Sequence, residues 1–168
     1  MKYFTFILAL ATSFGGSYAY ANDVTNFSEN TSGLKWTTDY STASQLAKIE
    51  NKPIFLCFTG SDWCPWSKKM HSEILLDPHF QQLVADKLIF VTLDFPRNSQ
   101  QNERLKKHNQ KLYEQYHIKS LSVGKNRGFP AVIILDPNGN KIAELGYQTG
   151  GGALYAQKVL NIIESSKF

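Results

Sequence analysis

Two regimes of hydrophobic patterning run along the chain. Residues 54–59, 87–94 and 131–136 are short, almost continuously apolar runs, separated by longer stretches whose apolar residues recur at helical spacing. A continuous apolar run suits a strand covered on both faces. Tyr40, Ala43, Leu46, Ala47 and Ile49 mark one face of a helix over 40–50, which Asn51-Lys52-Pro53 ends. After the first apolar run, a helix is predicted from Pro65 to about residue 76. Asp77-Pro78 breaks it and starts a short helix carrying Phe80, Leu83 and Val84. Residues 99–116 are polar apart from a thin stripe of Leu105, Leu112, Tyr113 and Tyr116, the mark of a surface helix. The run Asp136-Pro137-Asn138-Gly139-Asn140-Lys141 predicts a turn joining 131–136 to an antiparallel strand over 141–147. Gly150-Gly151-Gly152 frees the chain to enter a closing helix over 153–165, with Leu154, Val159, Leu160, Ile162 and Ile163 as its apolar stripe. The order is α-β-α-β-α-β-β-α, an α/β protein of one domain without internal repeats.

The first 34 residues follow neither regime. Lys2 gives a short positive start, residues 3–14 are mostly apolar, and Ala19-Tyr20-Ala21 is a small-x-small cleavage pattern. Residues 1–21 therefore read as a signal peptide. An uncleaved anchor is the competing reading, but the apolar run falls short of the roughly 20 residues that cross a bilayer. No stable membrane insertion is expected, and the mature protein is expected to be periplasmic or secreted. Residues 22–34 are polar and rich in Asn, Ser and Thr, which suits a flexible leader. The folded domain is expected over 35–168, with Trp36 near its start.

Composition narrows the function by exclusion. The formal charge is +4, and its basic residues are interleaved with acids without an aromatic ladder, so nucleic-acid binding has little support. Two cysteines, Cys57 and Cys64, are too few for a disulfide scaffold even in an oxidising compartment. His71, His79, His108 and His117 are scattered over polar stretches and show no metal spacing with either cysteine, so they read as solvated surface residues and no metal is expected.

Cys64 is the residue that carries chemistry. A strand and turn deliver it to the start of a helix, because Pro65 is favoured at the first helical position. Backbone N–H groups and the helix dipole favour negative charge at that place, and the thiolate is the nucleophilic form of cysteine. The run Trp63-Cys64-Pro65-Trp66-Ser67 resembles the active-site turn of the thioredoxin superfamily, with Ser67 where the family pattern Cys-x-x-Cys has its second cysteine. Gly128-Phe129-Pro130 followed by 131–136 resembles the family's cis-proline strand, and the turn after it is similar too. Phe58-Thr59-Gly60-Ser61-Asp62 and Asp94-Phe95-Pro96-Arg97 look like an exported bacterial branch. The resemblance covers roughly residues 35 to 166. It implies a thioredoxin fold, a mixed central sheet with helices on both faces, and a thiol-disulfide exchange activity of the isomerase or reductase kind. Set against the family, residues 119–127 look like an insertion, whose Lys119, Lys125 and Arg127 could favour acidic substrates.

Ser67 limits what the chain can do alone. A dithiol reductase resolves its mixed disulfide with a second thiol, and a hydroxyl cannot replace that thiol. Ser67 can instead donate a hydrogen bond to the Cys64 thiolate. The chemistry left is a single exchange step, with partners that are protein or peptide thiols and disulfides, glutathione, and an outside redox partner. No cofactor is called for. Trp63 and Trp66 flank the thiol, either fixing the turn or offering clients an apolar platform, and the family's peptides bind along Phe129-Pro130. Cys57 falls near the family's buried acidic position. It reads as an inert filler of the strand, a tuning neighbour together with Lys68, or a hidden resolving thiol. Two other functions remain open: a client-holding, chaperone-like module, and a dithiol oxidoreductase whose second cysteine is replaced by Ser67.

Overall fold

The computed structural model of the protein describes residues 28–29, 34–116, 128–166 and 168. The expected signal peptide at 1–21, most of the expected leader and the basic stretch at 119–127 lie outside these residues. In chain order the elements are β1 (Ser28–Glu29), β2 (Lys35–Thr37), α1 (Tyr40–Glu50), β3 (Ile54–Thr59), α2 (Pro65–Met70), α3 (Pro78–Val84), β4 (Ile89–Asp94), α4 (Glu103–Gln115), β5 (Ala131–Leu135), β6 (Lys141–Gly146) and α5 (Gly151–Ser165). A π-helical turn, His71–Leu75, extends α2.

The apolar runs do become the central strands. They form one mixed sheet in the order β1-β2-β4-β3-β5-β6. Strand β3 lies parallel to β4, with Cys57 opposite Thr92, and antiparallel to β5, with Cys57 opposite Val132. Successive side chains of a strand point to opposite faces, and β3 shows this. Phe55 and Cys57 enter one core cluster with Met70, Ile74, Phe80 and Tyr155. Ile54, Leu56 and Phe58 enter the other, with Ala43, Leu112 and Phe129. Helices therefore cover both faces, as a continuous apolar strand requires.

Three expectations need correction. The leader predicted over 22–34 as flexible contains paired structure, because β1 runs antiparallel to β2 with Ser28 opposite Trp36. Leu34 is buried with it. A short run without alternation carries no strand signal, and β2 is a strand because Trp36 pairs with Phe90 of β4. The closing helix begins at Gly151 rather than 153, and it buries Gly152, Tyr155, Ala156 and Val159 while Leu154 stays 67% exposed. Gly152 packs so close to Asp77 that a Cβ there would stand 2.4 Å from the Asp77 Cβ, so the buried face is set by this approach. Finally, His108 is only partly solvated: the residue is half-buried, and its Nε2 is enclosed without a hydrogen-bond partner among the described residues.

Candidate active site

Cys64 is the N-cap residue of α2, with extended backbone and Pro65 beginning the helix. The turn that places it is closed by two bonds to the Gly60 carbonyl, from Trp63 N–H at 3.3 Å and Cys64 N–H at 2.8 Å. Gly60 is required there, since a Cβ would stand 2.6 Å from the Trp63 indole. The thiol is buried and donates to the Phe129 carbonyl oxygen at 3.2 Å. Phe129 and Pro130 are joined by the cis bond that the resemblance implied, and β5 follows. The two motifs, far apart in sequence, thus meet at the thiol.

The partner of Ser67 differs from expectation. Its Oγ accepts the Gly60 N–H at 3.2 Å, while the thiol it was expected to serve is bonded to Phe129. Ser67 is buried one helical turn from Cys64, facing a cavity of about 430 Å³ that it shares with Cys57, Lys68, Asp94 and Pro130. Cys57 does not approach Cys64 in the packing. Its side chain belongs to the opposite core cluster, and both thiols are free. Burial, and secondarily the charge of Asp94, push the Cys57 thiol up to about 12, so it stays protonated and unreactive at neutral pH.

Two aromatic walls flank the thiol. On one side, the Trp63 ring meets Phe129 edge-on at 5.8 Å, and Phe95 packs on Phe129 at 5.1 Å. Trp63 Nε1 donates to the Phe95 carbonyl at 2.8 Å. On the other side Trp66 is 54% exposed, leans on Tyr147 at 5.4 Å and carries Lys69 over its ring. The Tyr147 hydroxyl in turn bonds Glu73. Trp63 is thus built into the turn, while Trp66 stays largely exposed.

One part of the site was not found from the sequence, although its residues lay within the family resemblance. Asp62 accepts main-chain N–H groups from Arg97 at 3.1 Å, Asn98 at 2.7 Å and Ser99 at 3.1 Å. Asp94 accepts both the N–H and the hydroxyl of Ser61, at 3.0 and 2.6 Å. The loop after β4 is therefore tied to the reactive turn, and Arg97 lies over the Trp63 ring at 3.6 Å. The motif Asp94-Phe95-Pro96-Arg97 was the available signal, but pairing it with Asp62 needed the fold. Among the described residues no group of His, Cys, Asp and Glu could hold a metal ion, and no helix is long and apolar enough to cross a membrane.

A cysteine at a helix start, facing a cis-proline strand on a mixed sheet, is the architecture of a thiol-disulfide exchange protein. A family model described as a thioredoxin-like domain matches residues 40–154, and the chain belongs to that family. It is 37% identical over 131 residues to the disulfide bond reductase DsbH of Chlamydia pneumoniae, covering 78% of this chain and 74% of the relative. The solved structure of a DsbH oxidoreductase is similar across 90% of this chain and 96% of its own, with 32% identity and a TM-score of 0.70. The thioredoxin-related protein DsbJ of the same organism is 26% identical over 133 residues, 79% of this chain and 36% of that relative. The protein is a bacterial-type thiol-disulfide oxidoreductase of the thioredoxin superfamily.

Proposed function

We propose that the protein is an exported exchange catalyst working through one thiol, Cys64, with no resolving thiol of its own. The observation that carries this is the separation of the two cysteines. Cys64 starts α2 beside Phe129, Ser67 occupies the position one turn on, and Cys57 is buried in the other core cluster, at the edge of the cavity under Ser67. In the forward step the Cys64 thiolate attacks one sulfur of a substrate disulfide. A bond forms between Cys64 and that sulfur, the substrate S–S bond breaks, and the leaving thiolate takes a proton. An outside thiol, such as glutathione or that of a redox partner, then attacks the mixed disulfide and releases Cys64. Each step exchanges one disulfide for another, with no net redox change in the protein.

Pro65, Trp66, Phe129 and Pro130 line the approach for a peptide disulfide, and Trp63 fixes the turn. Ser67 holds the turn through Gly60, while Lys68 and Cys57 border the cavity below. Export rests on the signal-like residues 1–21, ahead of a domain whose sheet already includes Ser28 and Glu29. The test is Ser67→Cys, which places a second thiol one turn from Cys64. Insulin reduction with dithiothreitol should accelerate, and adducts on Cys64, read by mass, should become short-lived. If the wild type instead stalls as a client adduct despite added glutathione, the holding module is the better reading. If Ser67→Cys forms no internal disulfide, serine is not a simple replacement for the second cysteine.

A further inference from the structure

Arg97 stands exposed on the Trp63 side of Cys64, its guanidinium carbon 3.6 Å from the centroid of the Trp63 ring. Among the described residues it forms no ion pair; the ion pairs belong to Lys52, His79, Lys106 and Lys141. Asp62, tied to the same loop, directs its carboxylate at the main-chain N–H groups of Arg97, Asn98 and Ser99. The plate beneath Arg97 is rigid, because Trp63 is bonded to the Phe95 carbonyl and packed on Phe129. Phe129 is the residue whose carbonyl receives the Cys64 thiol. A forked cation with five N–H donors is thus held over the Trp63 ring, without a carboxylate partner for its guanidinium among the described residues.

The groove bordering Arg97 runs past Phe95, Pro96, Gln100, Gln101 and Phe129. Two charged residues of α4 also line it, Glu103 and Lys106, paired with each other at 3.5 Å. Among the described residues Arg97 is the charged side chain of the groove without an ion pair. We propose that this groove is a carboxylate subsite, in which Arg97 binds an acidic group that the substrate carries close to its disulfide. A planar carboxylate fits the fork in two parallel bonds, which a lysine would not provide. Both an acidic side chain of a peptide and the carboxylates of glutathione present this chemistry. The inference rests on Cys64 as the attacking thiol, and it adds what the site selects.

The test compares two disulfide-linked peptides that differ only in Glu or Gln next to the cysteine. The rate of adduct formation on Cys64 is read by mass in low salt. The wild type should favour the Glu peptide by about three- to fivefold, the upper range for an exposed ion pair. Arg97→Gln should bring the ratio within about twofold, and Arg97→Lys should restore part of it. Added salt should shrink the wild-type ratio. A third arm uses a glutathione mixed disulfide: sensitivity to Arg97→Gln there, with none for the Glu peptide, assigns the carboxylate to glutathione. If Arg97→Gln slows both peptides equally and keeps their ratio, Arg97 only supports Trp63, and the proposal is overturned. Equal rates for both peptides in the wild type, with no effect on the glutathione arm, overturn it as well. Equilibrium binding of S-methylated peptides reads the same preference without thiol chemistry. A preference there with no adduct on Cys64 would sink the Cys64 assignment and keep the subsite.

Discussion

Cys57 and Cys64 are the same side chain given opposite surroundings by the strand and helix that deliver them. Cys64 starts a helix at the end of a turn, beside the Phe129 carbonyl. Cys57 points from the middle of β3 into the cluster with Met70 and Tyr155. Cys64→Ser should therefore abolish exchange and adduct formation. Cys57→Ala should leave exchange standing and lower stability by about 1 kcal/mol or more, the cost of a vacated buried volume. An accumulation of mixed disulfide in Cys57→Ala would mean that Cys57 resolves Cys64. The raised thiol of Cys57 also has a consequence at alkaline pH. Its folded value of about 12 lies above the ordinary value of 9.0. Between these values the unfolded chain gives up its thiol proton while the native chain keeps it. Stability is thus intact below about pH 9 and falls as pH rises toward 12, by up to about 1.4 kcal/mol per pH unit for one proton. Burial raises Tyr155 as well, so it adds to this alkaline loss. Cys57→Ala should make the alkaline decline of the urea midpoint shallower by about one proton. An unchanged slope would show that the thiol is not sealed.

At the scale of elements, the loop after β4 and the turn before α2 work as one piece. Asp62 joins them through three N–H groups, and Asp94 joins them again through Ser61. Asp62→Ala should release residues 97–99 from the turn and loosen Trp63. Exchange should slow by roughly three- to tenfold through poorer positioning of the thiol, with the thermal midpoint of the core little changed. Faster or unchanged exchange would mean that the loop is not part of the site. The sequence made half of this arrangement legible. Pro65 and the apolar run before it placed Cys64 at a helix start, and Gly128-Phe129-Pro130 marked the facing strand, because both signals are local. The clamp was hidden because Asp62 meets Arg97 only after β3 and β4 pair side by side. Strand β2 was hidden for a related reason: Lys35–Thr37 has no periodicity of its own and is held by Phe90 and Val91 across the sheet. In α5 the stripe read from large residues was displaced, since Gly152 and Ala156 bring the helix close and leave Leu154 outside.

Over the whole molecule, four aspartates fasten the joins between elements, and together they set how the fold responds to acid. Asp77 caps α3 through the His79 N–H at 2.8 Å and reaches the Gly152 N–H of α5 at 3.0 Å, so one carboxylate ties two helices. The His79 main-chain bond is the chief cause holding its carboxyl below the ordinary range, with Gly152 adding to it. For Asp39, Asp62 and Asp136 partial burial acts upward, but hydrogen bonds outweigh it and the net direction is down. Asp39 caps α1 through Ser41, and Asp136 holds the β5–β6 turn through Asn138 and Asn140. In each case the folded value lies below the unfolded one, near 3.9 for aspartate. As pH falls, the unfolded chain binds protons first. The stability these groups contribute is therefore present above the unfolded value and is lost as pH drops through it and on through the folded values. The urea midpoint should hold near pH 6 to 7 and decline steadily from about pH 5 downward. Asp77→Asn keeps a capping oxygen but removes the charge. It should be less stable than the wild type at pH 6 and should approach it at low pH, giving a flatter acid profile. A wild-type midpoint that stays level or rises toward pH 3 would contradict the account, as would parallel acid profiles for the two proteins.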